Sequence, residues 1–404
     1  MKFAKRTEQV SPFFVMEFAK RAAALEVEGH HIIKLSVGEP DFGAPPAVSA
    51  EMINVVRGGK LPYTDALGLP ALRTAIADFY TTAHGLSIDP ARVVVTAGAS
   101  AALLLLAAAL VEPGDEVIVG DPSYPCNRHF MASFGAEVSL VPTRAEARFQ
   151  LDAAAVAAYW TERTRGVVVA TPSNPTGTSI ALSELDAICD FARARGAWCI
   201  VDEIYLNLCD DGPGGSRPQT ALATNPDAIV VNSFSKYFGM TGWRLGWCVV
   251  PADMIPVLER LAQNYYICPS TPAQYAALAC FSSETLAVCE ERRAELGRRR
   301  TLVLKRLRKM GLSVPVEPDG AFFVYIDVSP TGLGAWEFCE RVLDESHVAL
   351  TPGKDFGVIG AGTYVRLSYA ASICELNEGM DRLSGFMSRL MALRVPVTMQ
   401  TEDV

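Results

Sequence analysis

The sequence predicts an α/β protein with a large domain built on a seven-stranded, mainly parallel sheet and a smaller α+β domain beside it. Three observations lead there. Strand-like apolar runs alternate with helical patterns from residue 92 onward, as βα units require. After about residue 285 the pattern changes to a long charged helix followed by a few strands and helices. With 404 residues, half of them apolar, the chain is long enough to bury a large core. The boundaries expected are 45–285 for the large domain and 1–44 together with 286–404 for the small one.

Taken in order, residues 13–29 have the apolar spacing of an amphipathic helix, with Phe14, Phe18, Ala22 and Leu25 near one stripe and Gly29 as the stop. A short strand is expected within HIIKLSVGEPDF, with Gly38 as a turn glycine. Residues 60–80 give a loop holding Tyr63 and then a helix of about four turns. The seven large-sheet strands are expected within RVVVTAG, DEVIVGDP, AEVSLVP, RGVVVATP, AWCIVDEIY, AIVVNSFS and WRLGWCVV. The apolar run AALLLLAAALV, 101–111, is too short to span a bilayer and ends at a Pro-Gly-Asp turn, so it reads as a buried helix. DDGPGGSRPQ, 210–219, reads as a loop. Beyond it come a charged helix near 284–310, strands near 321–327 and 363–369, and helices near 334–345 and 373–392.

Composition narrows the function. A net charge of -9 argues against general nucleic-acid or anionic-membrane binding, so neither partner is expected. The basic run RRAELGRRR shares its helix with Leu296, Leu302, Leu304 and Leu307, the pattern of a solvated face over an apolar stripe. Ten cysteines are scattered without a Cys-x-x-Cys pair, which points to reduced thiols in a cytoplasmic protein and to no metal site. The opening MKFAKRTEQVSPFF lacks the apolar stretch of a secretory signal.

The chemistry gathers at strand ends, where open α/β sheets bind their ligands. Lys236 follows the apolar run from Ile229 to Asn232, with Ser233, Ser235 and Arg244 close by in sequence. Two hydroxyls and a guanidinium suit a phosphate. TAGAS, 96–100, opens the apolar helix with small residues, so Gly98, Ala99 and Ser100 offer a second half of an anion site. Tyr124 in GDPSYP can stack on a planar ring. Asn174 sits in the turn TPSNPTG. Asp202 ends an otherwise apolar strand, where a carboxylate needs a cationic partner, and Tyr205 follows it. A phosphate, a flat ring, a cationic ring nitrogen and an aldehyde able to condense with a lysine meet in pyridoxal 5'-phosphate (PLP). On this reading Asp202 faces the ring nitrogen, and Asn174 and Tyr205 face the ring phenolic oxygen.

The motifs VGEPDF, PYTDALGLPALR, TAGASAAL, DPSYP, SNPTG, VDEIY, SFSKYFGMTGWRLGW, GAFFVY, TPGKDFG and YVRLSYA occur in this order along nearly the whole chain. In these the sequence resembles the class I/II aminotransferases of PLP-dependent fold type I, nearest to the aspartate/aromatic/alanine branch. The resemblance implies Lys236 as the Schiff-base lysine, with Asp202 and Tyr205 as its catalytic companions. It implies Arg366 as the clamp for a substrate α-carboxylate, helped by Asn174 and the Gly38 backbone. It assigns Ala99, Ser100, Ser233, Ser235 and Arg244 to the cofactor phosphate. Tyr63 is implied to reach the phosphate of a neighbouring subunit, hence a homodimer with active sites at its interface. Amino acids and 2-oxo acids are the implied substrates, exchanged in a ping-pong cycle. Ser100 stands where some dicarboxylate-specific relatives carry lysine, and no second arginine suggests itself, so a neutral or aromatic amino acid is expected, with Phe13, Phe14 and Tyr124 as pocket residues. A lyase, decarboxylase or synthase on the same scaffold, or a PLP-binding regulatory protein without turnover, remains the alternative.

Overall fold

The computed structural model describes residues 1–8, 10–212 and 218–392. The centre of the expected 210–219 loop and the 393–404 end of the expected small domain lie outside the described residues. Among the described residues twelve strands occur in chain order. β1 is Ile33–Lys34, and β2 (Val93–Thr96), β3 (Glu116–Asp121), β4 (Glu137–Pro142), β5 (Thr164–Ala170), β6 (Trp198–Asp202), β7 (Ile229–Ser233) and β8 (Gly246–Val249) form one sheet. β9 (Phe323–Asp327), β10 (Val348–Ala349), β11 (Thr351–Pro352) and β12 (Tyr364–Ser368) follow.

The seven-stranded sheet has the order β2-β8-β7-β6-β5-β3-β4. Each of the seven expected strands is present, and the sheet is mainly parallel as expected. Only β8 runs against its neighbours, β2 and β7. The connection explains this: β7 reaches β8 through residues 234–245, which contain a 3₁₀ turn at Thr241–Trp243 but no α-helix to carry a parallel crossover. Lys236 and Arg244 are therefore both carried by a tight excursion at the carboxyl end of β7. β2, β5, β6 and β7 are largely apolar inside because helices cover the sheet; Val93, Val94, Val95, Val167, Val168, Ile200, Val201, Val230 and Val231 are all buried.

The residues beyond the large sheet make two smaller ones. β11, β12 and β9 form an antiparallel sheet in that order, and β1 pairs in parallel with β10. β1 is shorter than the apolar stretch around it suggests. From Leu35 onward the backbone leaves the ladder, because the Leu35 carbonyl accepts from Ser368 N–H at 2.8 Å and the next carbonyls turn to side chains. Similarly the run from Trp243 to Val250 is strand only over Gly246–Val249, since Arg244 takes a left-handed φ of 53° that breaks extension. The N-terminal helix spans Val15–Val27 with Phe18 and Ala22 buried, the charged helix spans Ser283–Lys309, and helices at Ala335–Ser346 and Ile373–Ala392 match their expected places. All ten cysteines are free and most are buried. Among the described residues no helix is long and apolar enough to cross a membrane.

Gly246 shows how closely the large sheet packs on the turn before the Ala99–Leu110 helix. A Cβ there would lie 2.7 Å from Ala99 N, 2.8 Å from Gly98 C and 2.9 Å from Asn232 O, all of them backbone. Backbone cannot step aside as a side chain can. Gly246→Ala is expected to cost about 1–3 kcal/mol, read as a lower urea midpoint; a midpoint unchanged within error would contradict this packing.

Candidate active site

The carboxyl ends of β5, β6 and β7 open into a cavity of about 680 Å³. Ala170, Asp202 and Ser233, the last residues of these three strands, all line it. Lys236, three residues past β7, reaches the cavity from the 234–245 excursion, and its Nζ donates to Gly38 O at 2.5 Å. Burial lowers the Lys236 ammonium from its ordinary range to about 8; nearby Glu39 pulls it back up, while Arg366 and Arg244 push it further down. The amine is thus easier to deprotonate than a solvated lysine.

Asp202 is 4% exposed, and its Oδ1 accepts from the Ile204 N–H at 3.1 Å. Burial pushes its carboxyl up to about 6, and the Ile204 N–H and the Lys236 charge hold it back from rising further. An interior carboxylate in this state gains much from a cationic partner. Tyr205, buried against Phe322 and Phe323 with edge-on rings at 5.5 and 5.8 Å, lines the same wall, and burial raises its hydroxyl pKa. Tyr124 is the residue before the Pro125–Ser133 helix, lines the cavity and is likewise shifted upward by burial.

One end of the cavity is built for an anion. The Ala99–Leu110 helix begins at Gly98, whose φ is 87°, and no side chain caps it. Its first amides therefore point at whatever lies beyond, with the positive end of the helix dipole behind them. Ala99, Ser100, Ser233, Ser235 and Arg244 line this end. Ser235 N–H donates to Ser233 Oγ at 3.0 Å, and Arg244 Nη1 donates to Thr241 O at 2.9 Å, which orients the guanidinium. Gly98 does not line the cavity but makes room for it. A Cβ there would stand 2.6 Å from Arg244 Nη2, and the positive φ favours glycine, so the absent side chain leaves room for the arginine to fold over the helix end.

Arg366, on β12, is 4% exposed. Its Nη1 donates to Asn174 Oδ1 at 2.8 Å and its Nη2 to Ser36 O at 2.6 Å, while its buried Nε has no acceptor among the described residues. Phe323 and Phe356 lie 4.3 and 4.8 Å from the guanidinium carbon. Burial lowers its pKa to about 10, so it stays charged at neutral pH. An interior guanidinium with a donor to spare has the chemistry to receive a carboxylate.

Gly38, Ala99, Ser100, Tyr124, Asn174, Asp202, Tyr205, Ser233, Ser235, Lys236, Arg244 and Arg366 all line this cavity. Tyr63 does not; it is 77% exposed. Phe13 lines the cavity but Phe14 does not, because its ring turns onto Trp336, edge-on at 5.8 Å. Sequence reasoning missed Asp355 and Phe356, although both lie in the quoted motif TPGKDFG, and Glu203 next to Asp202. Glu203 is fully buried; its Oε1 accepts from the Ala221 N–H at 2.7 Å, its Oε2 has no partner among the described residues, and burial pushes it up to about 7. The signal available for Glu203 was a second acid beside an apolar strand.

The family model for aminotransferase class I and II matches residues 30–383. The chain belongs to that family. It is 39% identical to a valine–pyruvate aminotransferase of Mycobacterium tuberculosis over 94% of this chain and 97% of that protein. It is 37% identical to an arginine–pyruvate transaminase of Pseudomonas aeruginosa over 90% of this chain and 92% of that protein. A crystal structure of an aminotransferase from Mycobacterium tuberculosis superposes with a TM-score of 0.92 at 38% identity, covering 96% of this chain and all of that one. This protein is accordingly an amino-acid aminotransferase with the family's α/β fold, and membership implies PLP as cofactor.

The lowered Lys236 pKa has a direct readout. In cofactor-free protein, acylation of Lys236 by acetic anhydride, followed by peptide mapping, is expected to rise through about pH 8. The sign follows from the cause: burial disfavours the ammonium, so the reactive neutral amine appears at lower pH than in a solvated lysine. A midpoint near 10.5, the ordinary lysine value, would contradict the buried setting.

Proposed function

We propose that this chain holds PLP in the 680 Å³ cavity and moves the amino group of an L-amino acid with a neutral or aromatic side chain to a 2-oxo acid. The observation that carries the reading is the meeting in one cavity of a desolvated lysine, a buried carboxylate, an anion cradle and a buried guanidinium with a free donor. The residues fit the group. Arg244, Ser233, Ser235, Ser100 and the Ala99 amide would hold the phosphate in the space that Gly98 leaves clear. Asp202 would hold the ring nitrogen protonated, which relieves its own unpaired burial. Asn174 and Tyr205 would hydrogen-bond the phenolic oxygen, and Tyr124 would stand against the ring.

When bound, PLP supplies an electrophilic carbon for the donor amine and an electron sink for its α-carbon. The rest falls to the chain. Lys236 Nζ would hold the cofactor covalently and would serve as the base for the proton on the donor's α-carbon. Its lowered pKa suits that base role near neutral pH. Arg366 would take the α-carboxylate with the guanidinium edge that Asn174 and Ser36 orient, which fixes the α-carbon toward Lys236. Asp202, by staying ionised beside the ring nitrogen, would stabilise the charge that develops there.

The same reading assigns Tyr63, largely exposed in a single chain, to the cofactor phosphate of a second copy in a homodimer. We also assign residues 45–285 to a cofactor-binding domain and 1–44 with 286–404 to a smaller one, supported by the pairing of β1 with β10. The acceptor proposed is a small 2-oxo acid such as pyruvate, which two of the relatives carry in their names. The location proposed is the cytoplasm, where free thiols persist.

A panel of amino donors against pyruvate and 2-oxoglutarate, scored by formation of the new amino acid, tests the reading; no transfer from any neutral or aromatic donor would overturn it. Lys236→Ala is expected to lower kcat by at least about 10³-fold, and Asp202→Asn by about 10²–10³-fold with cofactor still retained on gel filtration. Loss of the cofactor without loss of kcat on resaturation would contradict the Asp202 role. Arg366→Ala removes charged hydrogen bonds of ~1.5–3 kcal/mol each and should raise the donor KM about 10–100-fold; a KM unchanged within twofold would place the carboxylate elsewhere.

A further inference from the structure

One wall of the cavity comes from the far N-terminus. Phe13, Val15, Met16 and Ala19 line it. The helix beginning at Val15 has no cap of its own, because Phe14 precedes it and offers no acceptor. Its first N–H groups need one from elsewhere. Asp355 supplies it: Oδ1 accepts from the Phe14 N–H at 2.7 Å and Oδ2 from the Val15 N–H at 2.6 Å. A carboxylate at a helix start also meets the positive end of the dipole. The neighbouring Lys354 holds the same segment, with its ammonium 4.4 Å from the centre of the Phe14 ring. Asp355 is only 3% exposed, so this hydrogen bonding is sheltered from water. The next residue, Phe356, lies on Arg366. One short stretch, 354–356, thus touches both the N-terminal wall and the guanidinium proposed for the substrate carboxylate.

The charges of the cavity say what the wall can select. Its cations are Lys236, Arg244 and Arg366, each already given a role. The other ionisable carboxylates on its lining are Glu39, Asp202 and Asp355. Among the described residues of one chain a donor with a side-chain carboxylate would meet no uncommitted cation there, and the N-terminal face offers it a phenylalanine, a valine and a methionine.

We propose that Asp355 is a positioning residue for donor selection: by capping residues 14 and 15 it holds Phe13, Val15 and Met16 against the cavity, and that wall selects amino acids with apolar side chains. The inference rests on the aminotransferase cycle proposed above, with the donor carboxylate at Arg366. Asp355 touches the wall and not the reacting atoms, so its loss acts on selectivity through the segment it holds.

The test uses the PLP-loaded full chain in three forms, wild type, Asp355→Ala and Phe13→Ala. Two quantities are measured: amide hydrogen exchange across residues 13–19, and kcat/KM for leucine, phenylalanine, alanine, aspartate and arginine. Wild type should favour leucine or phenylalanine over aspartate and arginine by about 100-fold or more. Asp355→Ala should speed exchange in the segment about tenfold and lower the leucine-to-alanine ratio about tenfold. Phe13→Ala should lower that ratio with exchange at 14–19 unchanged, which separates the wall from its latch. Unchanged exchange in Asp355→Ala, an equal fall for all donors, or wild-type use of aspartate or arginine at the rate of leucine would each overturn the proposal. Turnover of no donor would instead overturn the proposed function, while the exchange arm, needing no turnover, still decides whether Asp355 holds the segment.

Discussion

Charge taken out of water without a full set of partners is the constraint around which this structure is arranged. Burial lowers Lys236 to about 8 and Arg366 to about 10, and lifts Asp202 to about 6, all within one cavity. A core would not keep three such groups for stability, since each pulls against its own desolvation. Their partial pairing is informative in its direction. Lys236 donates to a backbone carbonyl, Asp202 accepts from a backbone N–H, and Arg366 keeps Nε unspent among the described residues. What each group still needs describes a ligand with a carbonyl carbon, a cationic nitrogen and a carboxylate.

The scaffold brings these groups together by topology. β5, β6 and β7 are adjacent and parallel, so their carboxyl ends share one rim, and the antiparallel β8 returns the chain immediately, keeping Arg244 beside Lys236. The opposite contribution comes from β12, which carries Arg366, and from residues 35–38, whose backbone joins β12 through Ser368. That short segment is the structural hinge of the site in a literal sense of contact: Ser36 O takes Arg366 and Gly38 O takes Lys236. A shift of the segment would move both at once, which couples the position of the Arg366 guanidinium to that of the Lys236 amine.

Much of this was legible in the sequence because it is local. Asp202 and Lys236 announce themselves as charged residues at the ends of apolar runs, and the seven strands follow from their β-branched stretches between turn residues. Gly98 was legible as part of a small-residue helix start, though not the reason for it, which is the Arg244 side chain arriving from 146 residues away in the chain (244 minus 98). Asp355 was invisible for the same reason in stronger form. Its partners are backbone N–H groups of Phe14 and Val15, which any residue would possess, at separations of 341 and 340 residues. Phe14 illustrates the limit of periodicity. The helical stripe correctly buries Phe18 and Ala22, yet which of two adjacent phenylalanines faces the cavity depends on Trp336, a residue of another helix.

On the proposed function, Lys236 is the amine that meets the cofactor. The most direct measurement is to saturate the protein with PLP, reduce with sodium borohydride, digest, and locate the pyridoxyl group by mass spectrometry. The label is expected on Lys236 alone. A label on another lysine, with Lys236 unmodified, would contradict the site described above.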